Sequence, residues 1–131
     1  MIKGLVTIIL SVLILSGCAP PTESKPSPVP TPTLITPGQA QAMMRDYDVT
    51  VLDVRTLDEF ESGHIENAVL LPIDELQDRA FSVIGSLDTV LLIYCQSGRR
   101  SADAALTLAA LGFARVYDFG GILSWPGEVV T

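Results

Sequence analysis

At 131 residues, 48% of them apolar, the chain has room for one compact domain with appendages and none for a second catalytic domain. Its 15 acidic residues against 8 basic ones leave a net charge of −7, which argues against binding nucleic acid or anionic lipid through bulk charge. After Lys25 the cations are all arginines: Arg45, Arg55, Arg79, Arg99, Arg100 and Arg115. Cys18, Cys95 and the single histidine, His64, match no zinc spacing, and the carboxylates show no repeated arrangement, so no metal is assigned.

The chain opens with a positive charge at Lys3 and an apolar run from Leu5 to Leu15, the pattern of a signal-peptide core. That run is too short to span a bilayer as a helix, which takes about 20 apolar residues. Leu15-Ser16-Gly17-Cys18 follows and resembles the lipobox of bacterial lipoproteins. The resemblance implies cleavage after Gly17, a diacylglycerol on the Cys18 thiol, and acylation of the new amino group, for example with palmitate. Two or more chains are what make such an anchor stable. Residues 1–17 are therefore expected to be a lipoprotein signal peptide, which places the protein outside the cytoplasm, held to a membrane on the cell surface or periplasmic side. An ordinary secretory signal with an incidental cysteine is the alternative. From Ala19 to Pro37 come 7 of the chain's 9 prolines, so residues 18–36 read as an extended, semi-rigid spacer, and residues 37–131 as the domain.

Within the domain, Thr36 followed by Pro37 forms the N-cap of a short helix running to Arg45, with Ala40, Met43 and Met44 on one side. Thr50 to Val54 and Ala68 to Leu71 are β-branched apolar runs expected to be buried strands. Asp74 to Val83 fits a helix turning Leu76, Ala80, Phe81 and Val83 inward. Thr89 to Tyr94 is the most apolar strand and so the central one. Ser101 to Leu111 is an alanine- and leucine-rich helix stopped by Gly112, and Val116-Tyr117 is a brief strand. Strands alternating with helices, apolar on both faces, argue for an α/β fold with a parallel sheet covered on both sides.

Cys95 falls where the central strand ends, with a helix expected to begin at Ser101, so Cys95-Gln96-Ser97-Gly98-Arg99-Arg100 wraps around a helix N-terminus. Ligands of open α/β sheets bind at this end. Ser97 and Gly98 let backbone N–H groups turn inward to cradle a negative group, and the helix start adds partial positive charge. Such a setting favours a thiolate over a thiol, and Arg100, with Arg99 beside it, adds full positive charge. A lone cysteine is commonly a small core filler, but a filler does not require this order of strand, cysteine, glycine turn, arginine and helix.

Tyr94 to Ser101 resembles the active-site loop of single-domain rhodaneses. Leu52-Asp53-Val54-Arg55, Glu59-Phe60, Gly63-His64-Ile65 and Ala68 before Pro72 are similar to that family's first signature, and Gly120-Gly121-Ile122 with Trp125 to its last. The resemblance covers Thr36 to Trp125. It implies a five-stranded parallel sheet flanked by helices on both faces, and a thiosulfate sulfurtransferase-like enzyme that needs no cofactor. Cys95 takes the outer sulfur of a small anionic donor as a persulfide and passes it to cyanide or an external thiol. By the same resemblance Arg100 would orient the donor, and Gln96, Ser97, Gly98 and Arg99 would contact it. Arg55 braces the pocket, with Asp53 holding Arg55 or backbone in place; a surface ion pair is the alternative for Asp53. His64 serves either as a base or, in a structural corner, as an orienting residue. Pro126-Gly127 after Trp125 implies a final helix shorter than the family's, and Asn67 occupies a turn position where relatives carry glycine.

Two other functions compete. Tyrosine-phosphatase-like and arsenate-reductase-like enzymes also combine a cysteine, a phosphate-cradling loop and an arginine, but they place five residues between Cys and Arg, against four between Cys95 and Arg100. A non-catalytic rhodanese-like module that binds a partner or senses sulfane sulfur is the other.

Overall fold

The computed structural model describes residues 14, 16–21 and 24–131. Apart from Ile14, the apolar run assigned to the signal peptide lies outside them, and from Ser16 to Pro32 the described residues form neither helix nor strand. No helix among the described residues is long and apolar enough to cross a membrane.

Seven strands and four helices follow: β1 (Thr33–Leu34), α1 (Pro37–Asp46), β2 (Thr50–Asp53), α2 (Leu57–Glu61), β3 (His64–Ile65), β4 (Val69–Leu70), α3 (Leu76–Ile84), β5 (Val90–Cys95), α4 (Arg99–Ala110), β6 (Arg115–Gly121) and β7 (Val129–Val130). Five strands make one parallel sheet in the order β1-β6-β5-β2-β4, which puts the most apolar strand, β5, at its centre. A central strand is covered on both faces, so its side chains divide by parity. Leu91, Ile93 and Cys95 join a core with Leu76 and Ala80 of α3 and Ala104, Ala105 and Leu108 of α4. Leu92 and Tyr94 join Ala40 of α1, Phe119 and Trp125 on the other face.

The helix boundaries follow from capping chemistry. Thr36 accepts from Gln39 N–H while the Gln39 side chain accepts from Thr36 N–H, a reciprocal box that starts α1 on Pro37 as expected. Thr56 and Glu59 repeat the device at α2, a helix not anticipated from the sequence. A 3₁₀ turn, Ile73–Glu75, leads into α3. Asn67 takes φ 64°, the left-handed turn conformation asparagine tolerates.

Several expectations are corrected. Strand β1 lies inside the stretch read as spacer, pairing Thr33 with Tyr117 and Leu34 with Asp118. Phe81 does not turn inward; it is 50% exposed and leans on Phe113, ring centres 5.4 Å apart. Helix α4 starts at Arg99 rather than Ser101, and β6 runs seven residues rather than two. After Gly121 there is no closing α-helix: a 3₁₀ turn, Ile122–Ser124, precedes Trp125, and β7 returns to pair antiparallel with β3.

Candidate active site

The end of β5 decides where the nucleophile stands. Cys95 is the last residue of the strand and is 1% exposed. Only Gln96, Ser97 and Gly98 separate it from α4, so Arg99 and Arg100 belong to the first turn of the helix and not to the loop. The reversal is tight enough to need Gly98 at φ 102°, a left-handed conformation that costs a residue with a Cβ. In that conformation the Gly98 N–H donates to Cys95 Sγ at 3.0 Å. No side chain caps α4, so its first-turn N–H groups, which have no partner within a helix, are not consumed by a cap. The helix dipole places partial positive charge at the same point.

A register shift in β6 supports this loop. Ile93 pairs with Asp118 but Cys95 pairs with Gly121, so β6 advances one residue more than β5. Gly120 takes φ 92° at the irregularity, and its N–H donates to the Asp118 carboxylate at 2.9 Å. The shifted segment then closes on the loop. A Cβ on Gly121 would meet Ser97 Cα at 2.6 Å as well as the Gln96 carbonyl, so only glycine fits. The buried Ser101 hydroxyl donates to Gly98 O at 3.0 Å, with Gly120 O also in reach at 3.3 Å. The paired glycines are thus part of the scaffold of the Cys95 loop.

Asp53 and Arg55 are 0% and 3% exposed, which removes the surface-pair alternative. The Asp53 carboxylate accepts from Arg55 Nη2 at 2.7 Å, from Nε and from the Arg55 backbone N–H. Arg55 also donates from Nη2 to Gly63 O at 2.7 Å and from Nη1 to Gln96 Oε1 at 3.2 Å, and its guanidinium lies 5.6 Å from the Tyr94 ring centre. Burial pulls the Arg55 pKa down, but the bonds and charge of Asp53 outweigh it and hold the guanidinium above its ordinary value. A buried pair this well bonded ties the end of β2 to the loop after β5.

Arg100 is not a free positive charge. It donates through Nη2 and Nη1 to both Glu59 oxygens, at 2.7 and 2.8 Å, a bidentate pair spanning α4 and α2. The Arg100 hydrogen bonds are the main reason the Glu59 carboxyl is lowered to about 2, while the same bonds raise the Arg100 pKa. Arg99 is exposed beside them. Glu59 appeared in the sequence only as part of a signature; the Thr56-x-x-Glu59 capping box was the available signal for its helix, and its partner was not readable. His64 donates Nδ1–H to Phe60 O at 2.9 Å and stacks on the Phe60 ring at 3.7 Å, geometry that holds the α2–β3 corner.

At the C-terminal ends of β2 and β5 lies a cavity of about 380 Å³, lined by Arg55, Glu59, Gly63, Gln96, Ile122 and Val129 among others. Ile122 and Val129 form its apolar side. A larger cavity of about 570 Å³ lies against α1 and Trp125, beside the core that packs on the face of the sheet opposite to Cys95.

Comparison with known proteins agrees with this architecture. GlpE of Coxiella burnetii, named a thiosulfate sulfurtransferase, is 33% identical over 94 residues, 71% of this chain and 86% of GlpE. YrkF of Bacillus subtilis is 36% identical over 89 residues, 67% of this chain, which spans about half (47%) of YrkF's length. The crystal structure of a rhodanese-related protein from Thermoplasma volcanium superposes with a TM-score of 0.65 at 34% identity, covering 75% of this chain and 97% of that one. The model of the rhodanese-like domain matches residues 36–128, and the chain belongs to that family.

Proposed function

We propose that the protein is a sulfurtransferase that carries sulfane sulfur as a persulfide on Cys95. The observation that carries this reading is the Cys95 Sγ at 3.0 Å from the Gly98 N–H, at the start of a helix that no side chain caps. Donors aimed at a sulfur atom stabilise negative charge on it and on the sulfur it acquires, as an oxyanion hole does for oxygen. In the first half-reaction the Cys95 thiolate attacks the outer sulfur of thiosulfate. A Cys95–S bond forms, the S–SO₃ bond breaks, and its electron pair leaves on sulfite. In the second, cyanide or an external thiolate attacks the outer sulfur of the persulfide, takes it as thiocyanate or a new persulfide, and returns the thiolate. Arg100 orients the donor from the first turn of α4, and Arg55 holds Gln96 in the loop wall.

The lipobox resemblance completes the proposal: Cys18 is lipidated, and the domain works outside the cytoplasm at a membrane. Cys95 is then the one remaining thiol of the mature chain, so its persulfide passes to an external acceptor.

Intact-protein mass spectrometry tests the chemistry. Thiosulfate should add one sulfur to the wild type and cyanide should remove it, with Cys95→Ser silent in both steps. A wild type that gains no sulfur from any of several sulfane donors would leave a non-catalytic binding module in its place. Labelled palmitate should enter the wild type and not Cys18→Ser; equal labelling removes the anchor.

A further inference from the structure

Both Arg55 and Arg100, the arginines that brace the proposed sulfur site, are paired with carboxylates. Arg55 is paired with Asp53 and Arg100 with Glu59, two guanidiniums against two carboxylates. Glu59 is also part of the cavity wall, so a donor entering beside Gln96 meets a carboxylate. The remaining positive influences are the partial charge at the start of α4 and the exposed Arg99. Thiosulfate brings two negative charges to a thiolate, and one of them has to sit beside Glu59 or displace it from Arg100. A hydropersulfide, R–S–SH or its monoanion, brings at most one charge at its sulfur end, and its organic part has an apolar wall in Ile122 and Val129 within about 380 Å³. A space of this size is in the range of small-molecule sites.

Resting on the sulfurtransferase reading above, we infer that Glu59 is a specificity-determining residue that turns the site from dianionic thiosulfate toward small organic hydropersulfides. The balance is simple. The Cys95 thiolate attacks the terminal sulfur of R–S–SH, a Cys95–S bond forms, the sulfur–sulfur bond of the donor breaks, and its electron pair leaves on RS⁻, which takes a proton from solvent. No oxidant or reductant is consumed.

Glu59→Gln isolates the charge. Glutamine at this position completes the capping box with Thr56, as Gln39 does with Thr36 in α1, so the fold of α2 is kept. Glu59→Asp keeps the charge on a shorter side chain. The readout is kcat/KM for sulfur loading of the full chain by thiosulfate and by an otherwise uncharged alkyl hydropersulfide, taken as a ratio. Glu59→Gln should raise the thiosulfate-to-hydropersulfide ratio by about tenfold, while Glu59→Asp stays within about twofold of wild type. A ratio that is unchanged or falls in Glu59→Gln, or that moves equally in Glu59→Asp, overturns the inference while the sulfurtransferase reading stands. Failure of both donors to load the wild type overturns both.

Discussion

The N-termini of α1 and α2 and that of α4 present the same problem, backbone N–H groups without partners, and meet it differently. At α1 and α2 a threonine side chain closes the end, with Gln39 or Glu59 completing the box. Each closure of this kind is worth about 1 kcal/mol. At α4 the cap is Gly98, which has no side chain to contribute and turns its own N–H onto Cys95 Sγ. The stabilisation forgone there leaves donors aimed at a reactive atom. What holds the open end in place comes from elsewhere: the buried Asp53–Arg55 pair through Gln96, Ser101 through Gly98 O, and the close approach of Gly121.

If this contrast is right, the largest effect follows from removing the brace. Asp53→Asn leaves Arg55 buried with an unmatched charge, and urea denaturation should show a loss of about 3 kcal/mol or more. A loss under about 1 kcal/mol would show that the pair does not hold the loop. The next effect comes from closing the open end. Gly98→Ala and Gly98→Asp share the strain at φ 102° and a Cβ 3.3 Å from Gly120 Cα, but only aspartate adds a negative charge beside the Cys95 sulfur and the open helix start. Gly98→Asp should load sulfur about a hundredfold more slowly than Gly98→Ala, the scale of losing an oxyanion-hole donor. Equal rates would mean that the open donors do not matter.

The smallest effect comes from opening the closed ends. Thr36→Ala and Thr56→Ala should each cost about 1 kcal/mol in thermal unfolding. Of the two, Thr56→Ala alone should alter sulfur loading, because α2 carries the carboxylate that pairs Arg100. Equal changes in loading would erase the distinction between the two capped helices.

Much of this fold was legible because strong local signals agree with their surroundings. The run from Val90 to Cys95 is apolar at every position, short and bounded by turn residues, which suits a strand covered on both faces. Thr36 and Pro37 mark a helix start, and Gly112, at φ 103° just past α4, marks an end. The elements missed are those whose stabilising partners are distant. Strands β1, β3 and β7 are two residues each, too short for a periodic pattern, and exist because β6 and one another accept their hydrogen bonds. Helix α2 is five residues long and contains no fully buried residue, so only its capping box could have announced it.

The site divides in the same way. The residue types were present in the linear order of Cys95, Gln96, Ser97, Gly98, Arg99 and Arg100, and that order alone determined a strand, a turn through glycine and a helix, with a thiol where they meet. The charge state of the pocket was a tertiary decision. Arg100 and Glu59 are 41 positions apart, as are Arg55 and Gln96, and these contacts form only when β2 and β5 lie side by side. Sequence carries the local conformational preferences of a cysteine loop; pairing and burial are sums over neighbours that only the folded chain brings together, and they left Arg100 neutralised.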